Sequence, residues 1–346
     1  MSTIRNITLG KTGITVPQNA FGALPLQRNS KELAVKLLRD AYTGGMRFFD
    51  TARAYSDSEI KVGAAFSDFV DREKIYIATK THALTPDDIK KELAQSLENL
   101  RTDYVDLYQL HCAGRLYAPG DGTGLYETLQ ELKDKGKIRH IGITAHKIGV
   151  AEEIAESGLY ETLQFPFSYL ASERDVELVR TCKKNDVGFI AMKGLSGGLI
   201  TNAAAAFACI YMFDNVLPIW GIQREEELSQ WLEFMENPVS MTPDIMSFVE
   251  AERKNLSGDF CRGCGYCMPC PVGITINQCA RMSLMIRRAP SAAWLTPEWQ
   301  EKMSMIKNCL HCNACKSKCP YELDIPNLLI KNLEDYESVI RGETKV

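Results

Sequence analysis

Residues 75–110 read IYIATKTHALTPDDIKKELAQSLENLRTDYVDLYQL and contain one complete folding unit. Short β-rich runs at Ile75–Thr79 and Val105–Leu110 predict strands, and the segment Asp87–Leu100 between them has the apolar spacing of a helix. Two strands joined through a helix pair in parallel. The stretch therefore predicts a strand–helix–strand unit within an α/β fold.

The same alternation extends in both directions from this unit. The predicted strands are Asn19–Leu24, Met46–Asp50, Ile75–Thr79, Val105–Leu110, His140–Thr144, Thr162–Phe165, Gly188–Met192 and Val216–Ile219. The predicted helices are Lys31–Thr43, Asp87–Leu100, Gly124–Lys135, Val150–Glu156, Glu173–Asn185, Ala203–Met212 and Arg224–Met235.

This pattern predicts a (β/α)8 TIM barrel, because eight units in about 240 residues have the usual size of that fold. A hairpin precedes it, with Ile7–Leu9 and Ile14–Val16 on either side of a glycine-rich turn. A doubly wound open sheet is the alternative. It has less support because no G-x-G-x-x-G sequence follows the first strand.

Eight of the twelve cysteines lie in two runs near the end of the chain, CRGCGYCMPCP from Cys261 and CLHCNACKSKCP from Cys309. Three thiolates at steps of three wrap one corner of a cubane cluster, and the cysteine before proline ligates the other cluster. The runs therefore predict two [4Fe–4S] clusters. The ligands would be Cys261, Cys264, Cys267 and Cys319 for the first cluster, and Cys309, Cys312, Cys315 and Cys270 for the second.

Two structural zinc ions or a set of disulfides are the alternatives for these thiols. The third cysteine and the Cys-Pro of each run favour iron–sulfur clusters over zinc. The four other cysteines, Cys112, Cys182, Cys209 and Cys279, are interpreted as packed thiols.

Helical patterning between and around the runs, at Cys279–Ile286 and Pro297–Ile306, predicts a small α-helical ferredoxin-like domain. The predicted organisation is a barrel at residues 1–240, a helical connector at 241–258 and the cysteine-rich domain at 259–346.

Composition limits the partners. The formal net charge is −4, from 40 basic and 44 acidic residues, which does not predict a nucleic-acid surface. No apolar stretch approaches the roughly 20 residues that span a bilayer, so no membrane association is expected. The first residues, MSTIRNITLG, lack the apolar core of a secretory signal, and we expect a cytoplasmic protein.

Four polar residues fall at or just after the ends of consecutive predicted strands: Asp50, Tyr55, Lys80 and His111. Each alone has an ordinary explanation, such as a helix cap, a packed ring or a rim charge. Together at the catalytic end of a barrel they indicate acid–base chemistry, in which an ammonium lowers the pKa of a phenol. We expect Lys80 to do this to Tyr55.

With these residues in place, the chain resembles the aldo-keto reductase family over about residues 1–236, and its tail resembles bacterial members fused to a two-cluster ferredoxin domain. The resemblance implies that a small-molecule carbonyl and its alcohol are interconverted by nicotinamide hydride. Tyr55 would then be the general acid or base, Lys80 would tune it, Asp50 would hold Lys80, and His111 would align the substrate oxygen.

The resemblance also implies contacts to the cofactor, although less closely. These positions are Thr144, Ala145, His146 and Gln164 at the nicotinamide amide, Met192 at the ring, Lys193, Gly194, Leu195 and Gly197 at the phosphates, and Arg224 at the adenosine half. Ala145 replaces an asparagine usual in the family. Three glutamates beside Arg224 oppose a 2′-phosphate, so NADH and NADPH both stay open.

A hydride carries two electrons and a cluster passes one, so three interpretations stay open. The barrel is a reductase with structural or regulatory clusters, or the clusters exchange electrons with a redox partner protein through a flavin such as FMN or a radical step. In the third, the barrel is a redox-sensing scaffold without nicotinamide turnover.

Overall fold

The protein is described by a computed structural model that covers residues 4–256, 260–263, 265–288, 291–319 and 321–345. These residues form two compact units. The first consists of the described residues of Met1–Gly194 and Phe207–Thr242, and the second of those of Leu195–Ala206 and Pro243–Val346. The segment Leu195–Ala206 thus belongs to the cysteine-rich unit. The domain boundaries expected at residues 240 and 258 remain predictions.

The first unit begins with an antiparallel hairpin and continues as a closed eight-stranded parallel barrel. The hairpin strands are β1 (Asn6–Thr8) and β2 (Thr15–Pro17). The barrel strands are β3 (Ala20–Gly22), β4 (Phe48–Asp50), β5 (Tyr76–Thr81), β6 (Val105–Leu110), β7 (Ile138–Thr144), β8 (Thr162–Pro166), β9 (Gly188–Met192) and β10 (Val216–Gly221). They follow one another in chain order, and β10 pairs with β3 to close the ring. The predicted TIM barrel is confirmed.

The hairpin packs under the barrel and shares its core. Ile7 and Val16 are buried in one apolar cluster with Phe48, Leu107 and other strand residues. The hairpin turn requires glycine at position 10, where φ is +47° and a Cβ atom would lie 2.4 Å from the carbonyl oxygen of Asp186. The hairpin therefore closes the end of the barrel at which the strands begin.

Eight helices belong wholly or partly to this unit. They are α1 (Lys31–Thr43), α2 (Ser58–Phe66), α3 (Pro86–Leu100), α4 (Leu125–Asp134), α5 (Ile148–Glu156), α6 (Glu173–Lys184), α7 (Ala203–Tyr211) and α8 (Glu225–Glu236). Side chains cap three of these helices: Ser30, Thr85 and Ser172 accept a backbone N–H at the starts of α1, α3 and α6.

Helix α2 is absent from the sequence-based assignment. Its charged Glu59 and Lys61 are buried together with Val62, Gly63 and Phe66, so the segment lacks the one-sided apolar pattern of a surface helix. The first barrel strand is also shorter than the predicted Asn19–Leu24, since a 3₁₀ turn begins at Leu24.

The second unit is helical around its cysteine loops. Its helices are α9 (Pro243–Asn255), α10 (Ile276–Cys279), α11 (Met282–Arg288), α12 (Pro297–Ser304), α13 (Ala314–Ser317) and α14 (Ile325–Ile340). The segment predicted as one helix, Cys279–Ile286, is broken between α10 and α11, and the predicted Pro297–Ile306 becomes 3₁₀ from Met305.

The core of the second unit contains Ile274, Met282, Met303, Leu329 and other buried apolar side chains. This confirms an α-helical architecture for the second unit. Within the described residues, none of the helices is long and apolar enough to cross a membrane.

Candidate functional site

The ends of neighbouring strands place three of the four expected catalytic residues. Asp50 is the last residue of β4, Lys80 is the penultimate residue of β5, and His111 directly follows β6. The backbone N–H of His111 donates to the carbonyl of Thr81 at 2.8 Å, which continues the β5–β6 ladder by one residue. These three side chains therefore start from the same edge of the barrel.

Tyr55 lies in the turn between β4 and α2, and backbone hydrogen bonds hold this turn. The N–H of Arg53 donates to the carbonyl of Lys80 at 3.0 Å, and the N–H of Tyr55 donates to the carbonyl of Ala52 at 3.0 Å. The half-buried Tyr55 ring centre lies 5.2 Å from Lys80 Nζ and 5.7 Å from the centre of the His111 ring. All four expected residues are thus neighbours.

Asp50 and Lys80 form a buried ion pair beneath this ring. Lys80 Nζ donates to Asp50 Oδ2 at 2.6 Å and to the carbonyl of Thr51 at 2.6 Å, and the two side chains are 2% and 0% exposed. Burial raises the pKa of Asp50 and lowers the pKa of Lys80, because each charge has lost its water, while the partner opposes both shifts.

The electrostatics of Tyr55 differ from the expectation. From the sequence, Lys80 is expected to lower the pKa of the phenol. In the structure, burial and then the charges of Asp50 and Cys112 raise the pKa of Tyr55 above its ordinary value. The reason is that Asp50 neutralises the ammonium at hydrogen-bond distance, so burial dominates. The resting side chain is therefore a protonated phenol.

His111 is a neutral imidazole in this setting. Burial, followed by the charges of Lys80, His82 and His146, lowers the pKa of His111 to about 2. Its Nδ1 atom is buried and has no hydrogen-bond partner within the described part of the chain. Its ring stacks on that of His82, with centres 4.1 Å apart and planes at 18°. The side chain is held by stacking and keeps an unused polar atom.

The residues expected at the nicotinamide follow β7 and lie in β8. Thr144 is buried and its hydroxyl accepts the backbone N–H of Cys112 at 2.7 Å. Gln164 is buried opposite Thr144 in the β7–β8 register, and its Oε1 accepts from Gln109 Nε2 at 3.1 Å. Thr144 and Gln164 thus already take part in hydrogen bonds within the barrel.

Ala145 is fully buried. His146 is also buried, and burial followed by the charge of Lys193 lowers its pKa to about 3.

The residues expected at the phosphates are divided between the two units. Met192, Lys193 and Gly194 end the β9 segment of the barrel, whereas Leu195 and Gly197 belong to the second unit. Gly194 must be glycine, because a Cβ atom there would lie 2.4 Å from the ring of Trp220. The carbonyl of Gly197 accepts from Arg281 within the second unit.

Arg224 precedes α8 and its charge is already paired. Its guanidinium lies 2.7 Å from Glu227 Oε1, and 67% of its side chain is exposed. The other oxygen of Glu227 accepts the backbone N–H of Gln223 at 2.9 Å and that of Arg224 at 3.2 Å. Glu227 therefore caps the first turn of α8, and the Arg224 guanidinium is paired with the same carboxylate.

The second unit gathers cysteines around a cavity. Cys270, Cys309, Cys312 and Cys315, the four ligands expected for one cluster, line it together with Cys267 and apolar residues such as Ile274 and Leu329. Two residues between the last three cysteines, His311 and Asn313, have φ of +50° and +57°. Such left-handed residues turn the short loop back on itself, so neighbouring thiols share one side.

The other expected set is described in part. Cys261 and Cys267 are buried and Cys319 is half-buried, whereas Cys264 lies outside the described residues. The backbone N–H of Gly263 donates to Cys261 Sγ at 3.3 Å. Such donors stabilise a thiolate and suit iron–sulfur ligation. None of the described cysteines forms a disulfide.

Models of known protein families match both the barrel and the cysteine-rich unit. The model of the aldo/keto reductase family matches residues 18–209, more than half of the chain, and the model of the 4Fe–4S dicluster domain matches residues 260–324. The chain belongs to the aldo/keto reductase family. It also carries an iron–sulfur domain of the dicluster type.

Several curated relatives align with the reductase part. Aldo-keto reductase YhdN of Bacillus subtilis is 30% identical over 195 residues, which are 53% of this chain and 58% of that protein. The NADH-specific methylglyoxal reductase of Escherichia coli is 27% identical over 230 residues, 57% of this chain and 69% of that protein. The chain therefore matches little more than half of the first relative.

Solved structures share the barrel. The holo form of aldo-keto reductase AKR11C1 from Bacillus halodurans superposes with a TM-score of 0.63 at 21% identity, over 72% of this chain and 96% of that one. An aldo-keto reductase from Klebsiella pneumoniae in complex with NADPH gives 0.61 at 19% identity, over 72% and 95%. At these identities the likeness concerns the fold alone.

Two residues of the barrel end were not singled out as functional. His82 lies two positions after Lys80 and stacks on His111, and Cys112, interpreted as a packed thiol, follows His111 with φ of +57°. His82 directly follows β5, which carries Lys80, and Cys112 is the second residue after β6, next to His111; this position is the signal that was available.

Proposed function

We propose that the barrel of this aldo/keto reductase interconverts a small aldehyde or ketone and its alcohol with a nicotinamide cofactor. One observation carries the proposal. A buried Asp50–Lys80 ion pair lies beside Tyr55 and His111 where β4, β5 and β6 end. Active sites of TIM-barrel enzymes are built at this end of the strands.

The nicotinamide, when bound, supplies the hydride that carries two electrons to the carbonyl carbon. Tyr55 gives its phenolic proton to the carbonyl oxygen, so C=O becomes CH–OH, and the phenol regains a proton from solvent. The raised pKa of Tyr55 supports this direction, because it keeps the phenol protonated until a stronger base, the developing alkoxide, forms.

Neutral His111 carries one ring N–H. This group donates to the same oxygen and so fixes the carbonyl beside the phenol. Lys80 places positive charge under the ring as the phenolate forms, and Asp50 holds Lys80 in place. In alcohol oxidation the same groups act in reverse, with Tyr55 as the base.

The barrel residues suit a nicotinamide amide. Gln109 Oε1 is buried and has no hydrogen-bond partner within the described residues, and it lies beside Gln164 in the strand ends. A carboxamide N–H would satisfy it. We propose that Thr144, His146 and Gln164 surround the amide and that Met192 packs on the ring. Lys193 and Gly194 would meet the phosphates. Leu195 and Gly197 have no part in this proposal.

The adenosine half favours NADH over NADPH. A 2′-phosphate needs an available cation, but Arg224 is paired with Glu227, and Glu225 and Glu226 stand beside it. One relative is named NADH-specific, whereas one structural neighbour holds NADPH, so both cofactors occur among similar proteins.

The decisive experiment compares Tyr55→Phe with Tyr76→Phe, which removes the same hydroxyl at the start of β5. Methylglyoxal, the substrate named for the E. coli relative, and simple aldehydes serve as probes with NADH and NADPH. We expect Tyr55→Phe to lower kcat by about 10²- to 10⁴-fold and Tyr76→Phe to leave it nearly unchanged. Equal turnover by both variants would contradict the acid–base role.

A second function rests on the cysteine cavity. We propose that the second unit carries two [4Fe–4S] clusters that pass single electrons to or from a redox partner. Cys312 is exposed, so one cluster would lie near the surface. Cys270, Cys309, Cys312 and Cys315 would hold this cluster, and their thiolates fit iron because loop amides face the sulfurs of such runs.

Iron analysis tests this assignment. The intact chain should hold about eight irons and show absorbance that dithionite bleaches. Cys312→Ala should lose about half of the iron, whereas Cys279→Ala, a buried cysteine outside both ligand sets, should keep all of it. Extraction of FMN from the purified protein would favour flavin-mediated exchange between hydride and clusters. Iron content that is the same in both variants would contradict the ligand set.

A further inference from the structure

The second unit contains a buried cation whose charge is not balanced by a carboxylate. Three lysine or arginine side chains are buried among the described residues: Lys61, Lys80 and Arg281. Asp57 lies 2.8 Å from the ammonium of Lys61. Asp50 lies 2.6 Å from that of Lys80. Arg281 is 7% exposed and forms no ion pair with a carboxylate of the described residues. A buried charge without a counter-ion is costly, so Arg281 requires an anion that these residues do not supply.

Neutral groups hold the guanidinium of Arg281 in place. Its Nη2 atom donates to the carbonyl of Gly197 and to the sulfur of Met285, the latter at 3.0 Å. Two glycines leave room for it, because a Cβ atom would lie 2.9 Å from Nη1 at Gly197 and 2.4 Å from Nη1 at Gly263. These contacts fix the position of the charge without compensating it.

The charge lies near Cys261, an expected ligand of the first cluster. The backbone N–H of Gly263 donates to Cys261 Sγ at 3.3 Å. The Cβ position of the same Gly263 touches Nη1 of Arg281, and the intervening bonds are about 1.5 Å each, so Nη1 lies within about 9 Å of the sulfur. Burial lowers the pKa of Arg281 and the charge of Cys261 opposes this shift. A guanidinium stays charged in proteins.

We propose that the first [4Fe–4S] cluster is the counter-ion of Arg281, and that this buried charge raises the reduction potential of the cluster. The inference rests on the proposed function, in which Cys261 is one ligand of that cluster. A cubane with four thiolate ligands is negative when oxidised and more negative when reduced. A fixed positive charge therefore stabilises the reduced state more. Net charge is one of the properties that set cluster potentials.

The cations beside the second cluster are in a different setting. Lys316, next to Cys315, is exposed and pairs with Asp324 at 3.3 Å. Lys307, two residues before Cys309, is exposed and pairs with a glutamate at 2.7 Å. Water and these carboxylates screen both charges, so neither acts on its cluster as Arg281 does.

This difference has a consequence for electron transfer. Cys261 and Cys267 are buried, whereas Cys312 of the second set is exposed. Burial by itself disfavours the extra negative charge of a reduced cluster. Arg281 offsets this cost, and so it allows an electron that enters at the exposed second cluster to pass to the enclosed first one.

The test is a redox titration of the full-length, iron-loaded protein, followed by the EPR signals of the reduced clusters. The Cys312→Ala variant, which keeps the first cluster alone, identifies the signal of that cluster. We expect Arg281→Met to lower the equilibrium constant for its reduction by at least about tenfold, which is about 59 mV for one electron. The signal of the second cluster should titrate as in the wild type.

The matched control is Arg287→Met. It removes another arginine of the same helical segment, but this one is exposed and pairs with Asp335 at 2.6 Å. Both potentials should stay at their wild-type values, because an exposed and paired charge is screened. An equal shift in Arg287→Met and Arg281→Met overturns the specific role of the buried charge.

A conservative variant separates charge from structure. Arg281→Lys keeps the positive charge but loses the guanidinium contacts to Gly197 and Met285. It should keep most of the wild-type potential. If Arg281→Met loses iron while Arg281→Lys keeps it, the charge is needed to hold the cluster, which supports the proposal. Equal iron loss in both, an equal fall in potential in both, or an unchanged potential in Arg281→Met overturns it.

The wild type separates this inference from the function on which it rests. If the wild-type chain holds far fewer than about eight irons and shows no cluster signal, the two-cluster assignment fails and the role of Arg281 fails with it. If the wild type holds both clusters and Arg281→Met leaves their potentials unchanged, the clusters stand and only the role of Arg281 is overturned.

Discussion

The buried carboxylates at the two ends of the barrel differ in the groups that donate hydrogen bonds to them. Where the strands begin, Glu161 accepts from Lys133 at 2.6 Å and from the N–H of Ile141 at 2.9 Å, and it contacts His140 at 2.7 Å. Where the strands end, Asp50 relies on Lys80 at 2.6 Å. The first carboxylate has several donors, including a backbone amide, and the second has one ionic partner.

The pKa shifts follow from this difference. Burial alone would raise the pKa of Glu161, but hydrogen bonds from His140, Lys133 and the Ile141 amide lower it to about 2. Burial raises the pKa of Asp50 because Lys80 compensates only in part. The end where strands begin is thus built for stability, and the other end keeps a costly charge pair beside a phenol.

The largest expected effect comes from breaking that pair. Lys80→Met leaves Asp50 buried without its partner and should lower the free energy of unfolding by about 3–5 kcal/mol. Denaturant unfolding measures it. The matched change Lys133→Met should cost no more than about 1 kcal/mol, because Glu161 keeps His140 and an amide.

The double variant Asp50→Asn with Lys80→Met should recover most of the stability lost in Lys80→Met, since no unpaired charge remains. Carbonyl reduction should stay low in it. If Lys80→Met and Lys133→Met lose the same stability, the contrast between the two ends is wrong.

A smaller effect is expected for Glu161, and it depends on pH. The pKa is lower in the folded state than the ordinary value of 4.5, so Glu161 stabilises the fold above pH 4.5 and this contribution is lost as pH falls toward 2. Glu161→Gln should cost about 2–3 kcal/mol at pH 7 and progressively less below pH 4.5. Urea unfolding across this range measures the difference, and a gap that does not narrow in acid would refute it.

The smallest effect is expected for Arg224. Its guanidinium is exposed and paired with Glu227, so Arg224→Ala should change stability by less than about 1 kcal/mol. The KM for NADPH should rise by less than about twofold, and NADH should remain the better cofactor. Steady-state kinetics with both cofactors measure this. A rise of tenfold or more for NADPH alone would show that Arg224 binds the 2′-phosphate.

Much of the fold could be predicted because it depends on local patterns. The helix Lys31–Thr43 has the predicted bounds, and all eight predicted barrel strands are present. Helix α2 was missed because it is buried on most sides and shows no amphipathic pattern. The interruption between α10 and α11 was missed because apolar spacing continues through it.

The candidate site shows the same division. Asp50, Tyr55, Lys80 and His111 could be grouped from the sequence because each lies at or just after a strand end, a position that is readable from the order of elements, and their catalytic role stays a prediction. The direction of the Tyr55 pKa shift was not readable, because it depends on how close Asp50 and Lys80 lie and how little water reaches them. Cys112 and His82 drew no attention, since their proximity depends on a stacked pair of rings.

The order of residues alone determined the eight strand–helix units, the two cysteine runs and the polar residues at strand ends, since periodicity and spacing are properties of the chain itself. Tertiary structure decided that Glu227 neutralises Arg224, that Leu195–Ala206 belongs with the cysteine-rich unit, and that Tyr55 is harder to ionise. These outcomes depend on distances across the fold and on water removed by packing, which a linear pattern does not contain.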